Sequence, residues 1–244
     1  MMKHLIHIIA LLLIISSCKK GHELDCFKGR GETISHFEEL PYFNKVDGNG
    51  RISIHFVQDY TSGIEIICGE NMLEGITWHI EDSCLYLDNE NTCNWVRRFD
   101  AVPRIIVHYT DLKYFRVDNY FDNRFLSKHI GDSIKIEYWD GFGCTYFYGD
   151  VDYAEFLAHK GKGCFTARGH ARNTLIYHVS ASPNDFSGFY SKILEVNTKS
   201  NNDIRVYCDS LLTVSIHWTG NVYYNGNPSI INQYGQGSGL LISE

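Results

Sequence analysis

Asp185 and Asp203 each follow an asparagine at a turn, in SPNDF and SNNDI, and form the chain's best candidate pair of carboxylates. If those turns stack on neighbouring coils ~4.8 Å apart, the two carboxylates repel. They would then share a proton or take up a cation such as Ca²⁺. Calcium wants six or more oxygens, whereas the column continues only to Asn221 and is preceded by Cys164. The preferred reading is ordinary turn chemistry, because Asp after Asn favours turns. No metal, cofactor or catalytic residue is expected.

Other chemistry-bearing residues are scattered. Histidines His55, His79, His108, His178 and His217 fall in strand-like stretches, with no His-x-His and no His-Glu-x-x-His. They read as packed or surface residues. No Gly-x-Ser-x-Gly occurs, and GQGSG lacks the strand-to-helix elbow that would expose Ser238. Cys144 and Cys164 sit in the same column, at a spacing a disulfide accepts if side-chain direction allows. Two free thiols is the preferred reading. Cys84 and Cys93 would face each other if CLYLDNENTC turns at Asp88-Asn89; free thiols are again preferred.

Aromatics form two groups. Trp139, Phe142, Tyr146, Phe147 and Tyr148 cluster at one corner; Trp218, Tyr223, Tyr224 and Tyr234 cluster near the chain end. Aromatic faces beside Asn and Asp suit sugar rings. They also fill cores and cover caps, and that second use is the preferred one. The candidate ligand surface is Trp139, Phe142, Tyr146, Tyr148, Trp218, Tyr223 and Tyr224.

The N-terminus bears on location. MMKHLIHIIALLLIISSC has a basic head, an apolar run from Leu5 to Ile15 and small residues before Cys18. That is a secretory signal pattern, too short for a membrane span of ~20 residues. Ile15-Ser16-Ser17-Cys18 resembles a bacterial lipobox, which implies cleavage after residue 17 and acylation of Cys18. The expected partner is therefore membrane lipid, held through the acyl chains, with each buried methylene adding ~0.8 kcal/mol. Residues 18–39 read as lipidated Cys and tether, and residues 40–244 as the folded domain. Without residues 1–17 the chain carries 21 basic and 29 acidic side chains, a net charge of -8. That balance excludes nucleic acid as a partner, since phosphates need Lys and Arg. Besides Cys18, Cys26, Cys68, Cys84, Cys93, Cys144, Cys164 and Cys208 give an odd count. At least one thiol is then free or paired with another chain.

The elements that must position these residues are strands. RISIHFVQ, GIEIIC, ITWHI, CLYLD, RIIVHY and YFRVD are short, rich in Ile, Val, Tyr and Phe, and bounded by Gly, Asn or Asp. The second half repeats. Thr145, Phe165, Phe186, Ile204 and Val222 form one column, and Ile136, Phe156, Tyr177, Leu194 and Leu212 another, with steps of 17 to 21 residues. Such a period marks a solenoid. The fold expected is all-β, a parallel β-helix-like stack with coils of about 18–21 residues; an antiparallel sandwich is the rival. Gly161, Gly163, Asn184, Asn201, Asn202, Gly220 and Asn221 are placed at corners accepting positive φ. The terminal GQGSGLLISE is expected to fold over the last coil as a cap.

The pattern resembles the head GIN domain family, the auto-transporter adhesin head domains. GNVYYNGNP followed by GQGSG carries the likeness most specifically, with SNNDIRVYCDSLLTVSIHW, VDGNGRISIHF and RIIVHYTDLKYFRVDN upstream, over roughly residues 40–242. The resemblance implies an exported lipoprotein of Bacteroidetes-type bacteria and a right-handed stack. It supplies no catalytic motif. The function expected is a lipid-anchored envelope protein presenting a rigid, non-enzymatic solenoid to a glycan or protein ligand. A periplasm-facing scaffold or envelope-stress accessory is the first alternative, and a polysaccharide-active enzyme the second. Display on the surface or in the periplasm stays open.

Overall fold

Alternating side chains make each strand two-faced, so one face must find a core. The computed structural model describes residues 29–92, 102–179 and 181–244. The N-terminal strands are β1 (Thr33–Glu39), β2 (Lys45–Gly50), β3 (Ser53–Gln58), β4 (Gly63–Gly69), β5 (Ile76–Glu81), β6 (Cys84–Asn89), β7 (Arg104–Tyr109), β8 (Tyr114–Asn119) and β9 (Asn123–Phe125). Long strands follow: β10 (His129–Tyr138), β11 (Cys144–Ala158), β12 (Cys164–His178), β13 (Asn184–Thr198) and β14 (Ile204–Ile216). Short ones close the chain: β15 (Val222–Asn225), β16 (Ile230–Tyr234) and β17 (Leu241–Ser243). All belong to one hydrogen-bonded system. The six stretches expected as strands are β3 to β8.

From β8 onward neighbouring coils pair in parallel, and the C-terminal half is a β-solenoid of about six turns. Its inner column is Val46, Phe115, Ile136, Phe156, Ile176, Val196 and Val214, each stacked on the next and buried. The column ends on Gln233, which is exposed.

Four members of the expected columns move: Tyr177, Phe186, and Leu194 with Leu212, which stack on each other in the column of Ala154 and Thr174 rather than that of Phe156. Phe156 stacks on Ile176, and Tyr177 points outward between Leu157 and Asn197. A one-residue slip reverses every side chain, so Tyr177 has no place in the inner column. Phe186 stacks on Val206 rather than Ile204. Asn184 is the residue that stacks on Ile204, two before Phe186; beyond that point β13 is irregular, its register shifting against β12 between Thr166 and Arg168 and against β14 between Phe186 and Tyr190. Bulges of this kind absorb the change in coil length.

The N-terminal end is closed differently. Val46 stacks on Phe115 on one side and on buried Leu85 on the other, so β6 and β7, from the chain between Asp59 and Lys113, form a further parallel coil beyond β2 and β3. Within the same stretch β4 runs antiparallel to both β1 and β7, and β5 and β6 form a hairpin. Residues 33–39, assigned above to a tether, are therefore the strand β1. The sequence there is polar because one edge strand with little buried surface needs few apolar side chains.

The corners also differ from expectation. Among the proposed corner residues only Gly161 has positive φ, 85°. The asparagines act through their side chains. Asn184 Oδ1 accepts from Phe165 N at 2.6 Å, and Asn221 Oδ1 from Leu240 N at 2.9 Å. Each thus satisfies a backbone donor of the neighbouring coil that the ladder leaves unpaired. GQGSGLLISE is no cap: β17 pairs in parallel with β15 and adds one more rung. Its glycines are needed for contact between coils. A Cβ on Gly235, at φ 101°, would lie 1.9 Å from Ile216 O.

Cys144 and Cys164 face each other in register, with Cα atoms 4.5 Å apart, and are bridged. This corrects the free-thiol reading: parallel in-register neighbours point their side chains to the same side of the sheet. A non-reducing proteolytic digest should yield the peptides around Cys144 and Cys164 as one linked species; recovering both as separate free-thiol peptides would overturn the bridge. Cys84 is a buried free thiol at the start of β6, whose hairpin turns at Asp82 and Ser83 rather than at Asp88-Asn89. Cys18, Cys26 and Cys93 lie outside the described residues. Cys68 and Cys208 are buried free thiols.

Candidate functional site

Outward-facing residues of successive coils form rows as regular as the inner column. One row reads His55, Arg124, Tyr146, Thr166, Asp185, Arg205, Tyr223 and Ile242. It brings Tyr146 of the first aromatic group and Tyr223 of the second onto one sheet face. They stand four rungs apart, about 19 Å. Beside Tyr146 lies Tyr148, two residues on and so on the same side, stacked on Arg168 of the next coil. The main-chain groups beneath are spent on neighbouring coils, so only side chains are offered to a ligand.

Each of these tyrosines has a cation one coil away. The Arg124 guanidinium lies 4.0 Å from the Tyr146 ring centroid, Lys128 Nζ 5.7 Å from that of Tyr148, and the Arg205 guanidinium 5.1 Å from that of Tyr223. Lys135 over Tyr114 and Lys199 over Tyr177 repeat the relation. Such contacts hold ring and cation in fixed orientation, contributing ~0.5–1 kcal/mol at exposed sites. Sequence reading missed these cations. The signal was present: each stands 18 to 22 residues from its tyrosine, one solenoid period.

Arg124, Tyr146, Phe147, Tyr148, Thr166 and Arg168 line a cavity of about 580 Å³. Arg124 also pairs with Asp122 at 3.4 Å, and Lys128 with Asp150. Among the described residues Arg168 makes no ion pair. A separate cavity of about 410 Å³ has the opposite character, gathering Asp47, Asp88, Glu90 and Asp118 around Arg116.

The remaining aromatics divide. Trp139 is exposed and stacks on His159, with centroids 4.3 Å apart. His159 Nε2 lies 2.7 Å from Glu137 Oε1, and Tyr114 donates its hydroxyl to Glu137 Oε2 at 2.7 Å. Burial raises the Glu137 carboxyl, but hydrogen bonds from Tyr114, His159 and Lys135 outweigh it and hold the group below its usual range. Glu137 therefore stays ionised and positions His159, which positions Trp139. Phe142 is exposed and tilts over Tyr120 at 5.6 Å. Trp218 is exposed after the end of β14. Tyr224 is partly buried: it stacks on buried Val206 and packs against the core. Phe147 belongs to the core. His217 follows β14 rather than lying in it.

Asp185 and Asp203 are not stacked: Asp185 pairs with Arg205. Asp185 Oδ1 accepts from Ser187 N and Oγ, and Asp203 Oδ1 from Asn221 N at 2.9 Å. Asp185 is the second residue of β13, and Asp203 lies in the turn just before β14. Among the described residues no group of three or more His, Cys, Asp or Glu could hold a metal ion. No described helix is long and apolar enough to cross a membrane.

Residues 42–228 match the family model described as "Putative auto-transporter adhesin, head GIN domain". Solved structures share the fold, these three among them. One, a putative adhesin of Bacteroides fragilis, has TM-score 0.77 and 17% identity, over 87% of this chain and 97% of that one. A putative adhesin of Parabacteroides distasonis has TM-score 0.69 and 16% identity, over 88% and 98%. A putative lipid binding protein, also of Parabacteroides distasonis, has TM-score 0.64 and 15% identity, over 88% and 98%. No curated protein matches.

Proposed function

The chain belongs to the head GIN domain family, and from that premise we propose that it is an exported, non-enzymatic, adhesin-like binding module of the cell envelope. Acylated Cys18 holds it to the membrane, residues up to β1 act as the tether, and the solenoid carries the binding face. The ligand is a glycan. The observation that carries this reading is the outward row on which Tyr146 and Tyr223 are each fixed by an arginine one coil away. Orientated aromatic faces on a rigid sheet need little ordering on binding, so less affinity is lost to side-chain entropy. The lipobox supports the anchor, and the acidic balance argues against nucleic acid and against electrostatic attraction to anionic lipid.

The test is a glycan array probed with the full chain in detergent and with a Tyr146→Ala, Tyr223→Ala variant of equal thermal stability. Wild-type binding should fall about tenfold or more in the variant, since stacking contacts of ~1 kcal/mol each act together. Unchanged binding would remove this face from the reading. Protease shaving of intact against lysed cells supplies the second arm. Digestion in intact cells puts the solenoid outside. Protection until lysis replaces adhesion with a periplasmic role.

A further inference from the structure

Resting on that reading, we propose that the cavity between Tyr146, Tyr148 and Arg168 is a subsite for a carboxylated sugar, one uronate unit of an acidic polysaccharide.

The charge argument comes first. The chain is acidic overall, at -7, yet this cavity is lined by Arg124 and Arg168; Arg124 is paired with Asp122, and nearby Lys128 with Asp150, so Arg168 is the cation left for a ligand. A net-negative protein that repels polyanions in general needs a local uncompensated cation to accept one. Arg168 is exposed, and among the described residues it makes no ion pair. Its planar fork is free to meet a carboxylate bidentately, the geometry for which arginine is suited and lysine is not. The Arg124 guanidinium lies over Tyr146 at 4.0 Å and pairs with Asp122, so it orients the ring.

The aromatic argument identifies the rest of the ligand. Tyr148 is 44% exposed, so its face can cover the apolar C–H side of a sugar ring while the ring's carboxylate reaches Arg168 on the adjacent rung, ~4.8 Å away. An acidic peptide is less well served. Extended peptides bind sheets by adding a strand to a free edge, and Tyr146 and Arg168 lie mid-sheet, where β11 is paired on both sides. Repetition along the row, through Arg205 and Tyr223, suits a polymer more than a single sugar.

The experiment titrates the detergent-solubilised full chain with oligogalacturonate, with the same oligomer after carboxyl reduction, and with poly-glutamate. Oligogalacturonate should bind, the reduced oligomer and poly-glutamate at least tenfold more weakly. Arg168→Ala should weaken oligogalacturonate about tenfold or more, and Arg168→Lys should restore only part of it, since charge alone lacks the fork. Equal binding of native and reduced oligomers overturns the carboxylate but leaves glycan binding standing. Equal, Arg168-dependent binding of poly-glutamate overturns the carbohydrate. No oligogalacturonate binding overturns the subsite, and the array with the tyrosine variant then decides separately whether the broader reading survives.

Discussion

Phe156→Ala should lower unfolding stability by about 3–5 kcal/mol, the range for emptying a large aromatic from a packed core. Phe156 is fully buried in the middle of the inner column, between Ile136 and Ile176. Its ring meets Phe147, Phe165, Phe186 and Phe189 at centroid distances of 4.9 to 5.6 Å. Those rings come from β11, β12 and β13, so the cavity would open between coils whose long strands cannot collapse independently. In a stacked array each coil is stabilised mainly by its neighbours, so a central defect weakens both interfaces. Tyr177→Ala makes the comparison informative. If Tyr177 occupied the inner column, its loss would cost as much as that of Phe156; pointing outward, it should cost about 1 kcal/mol or less. Urea denaturation of both variants reads the register directly, and equal losses would sink it.

Acid should destabilise the protein between pH 6.5 and 4, well before most carboxylates are protonated. Burial pushes the His129 imidazole down to about 4, with Asp111 opposing weakly. The ring is fully buried, with Nδ1 3.0 Å from the Tyr109 hydroxyl and with Phe125 and Phe147 around it. Its Nε2 has no hydrogen-bond partner. A charged ring would leave a cationic N–H unpaired among aromatics, which is why the neutral form is favoured. The unfolded chain titrates near 6.5. Between the two values the unfolded state binds the extra proton, so stability is intact above pH 6.5 and falls as pH drops toward 4. From His129 alone the loss is about 2 kcal/mol at pH 5 and about 3 kcal/mol at pH 4. His178, buried and also lowered, adds in the same direction. Urea midpoints at pH 7 and pH 5 should separate clearly for wild type and approach one another for His129→Gln. An unchanged pH dependence in that variant would assign the acid sensitivity elsewhere.

The strands, their apolar faces and a period near 20 residues could be read from the chain alone, because alternation and turn residues are local properties. Ile136 and Phe156, and separately Leu194 and Leu212, were legible as stacked neighbours because equal steps link them. Family membership was legible in the coil pattern up to GNVYYNGNP, where the matched residues end; GQGSG lies beyond them. Tertiary structure alone decided the rest. The regular pairing of β11 with β12 sets Ile176 on Phe156, and one residue of slip decides whether Tyr177 faces core or solvent; in β13 bulges shift register without altering the local pattern. The same register joins Cys144 to Cys164, separates Asp185 from Asp203, and turns Tyr224 inward while Tyr223 faces out. It also brings Tyr146 and Tyr223 onto one face with their arginines, a relation spanning four coils that no local window contains. Pairing across coils is set by which backbone groups meet, and that is a property of the whole stack.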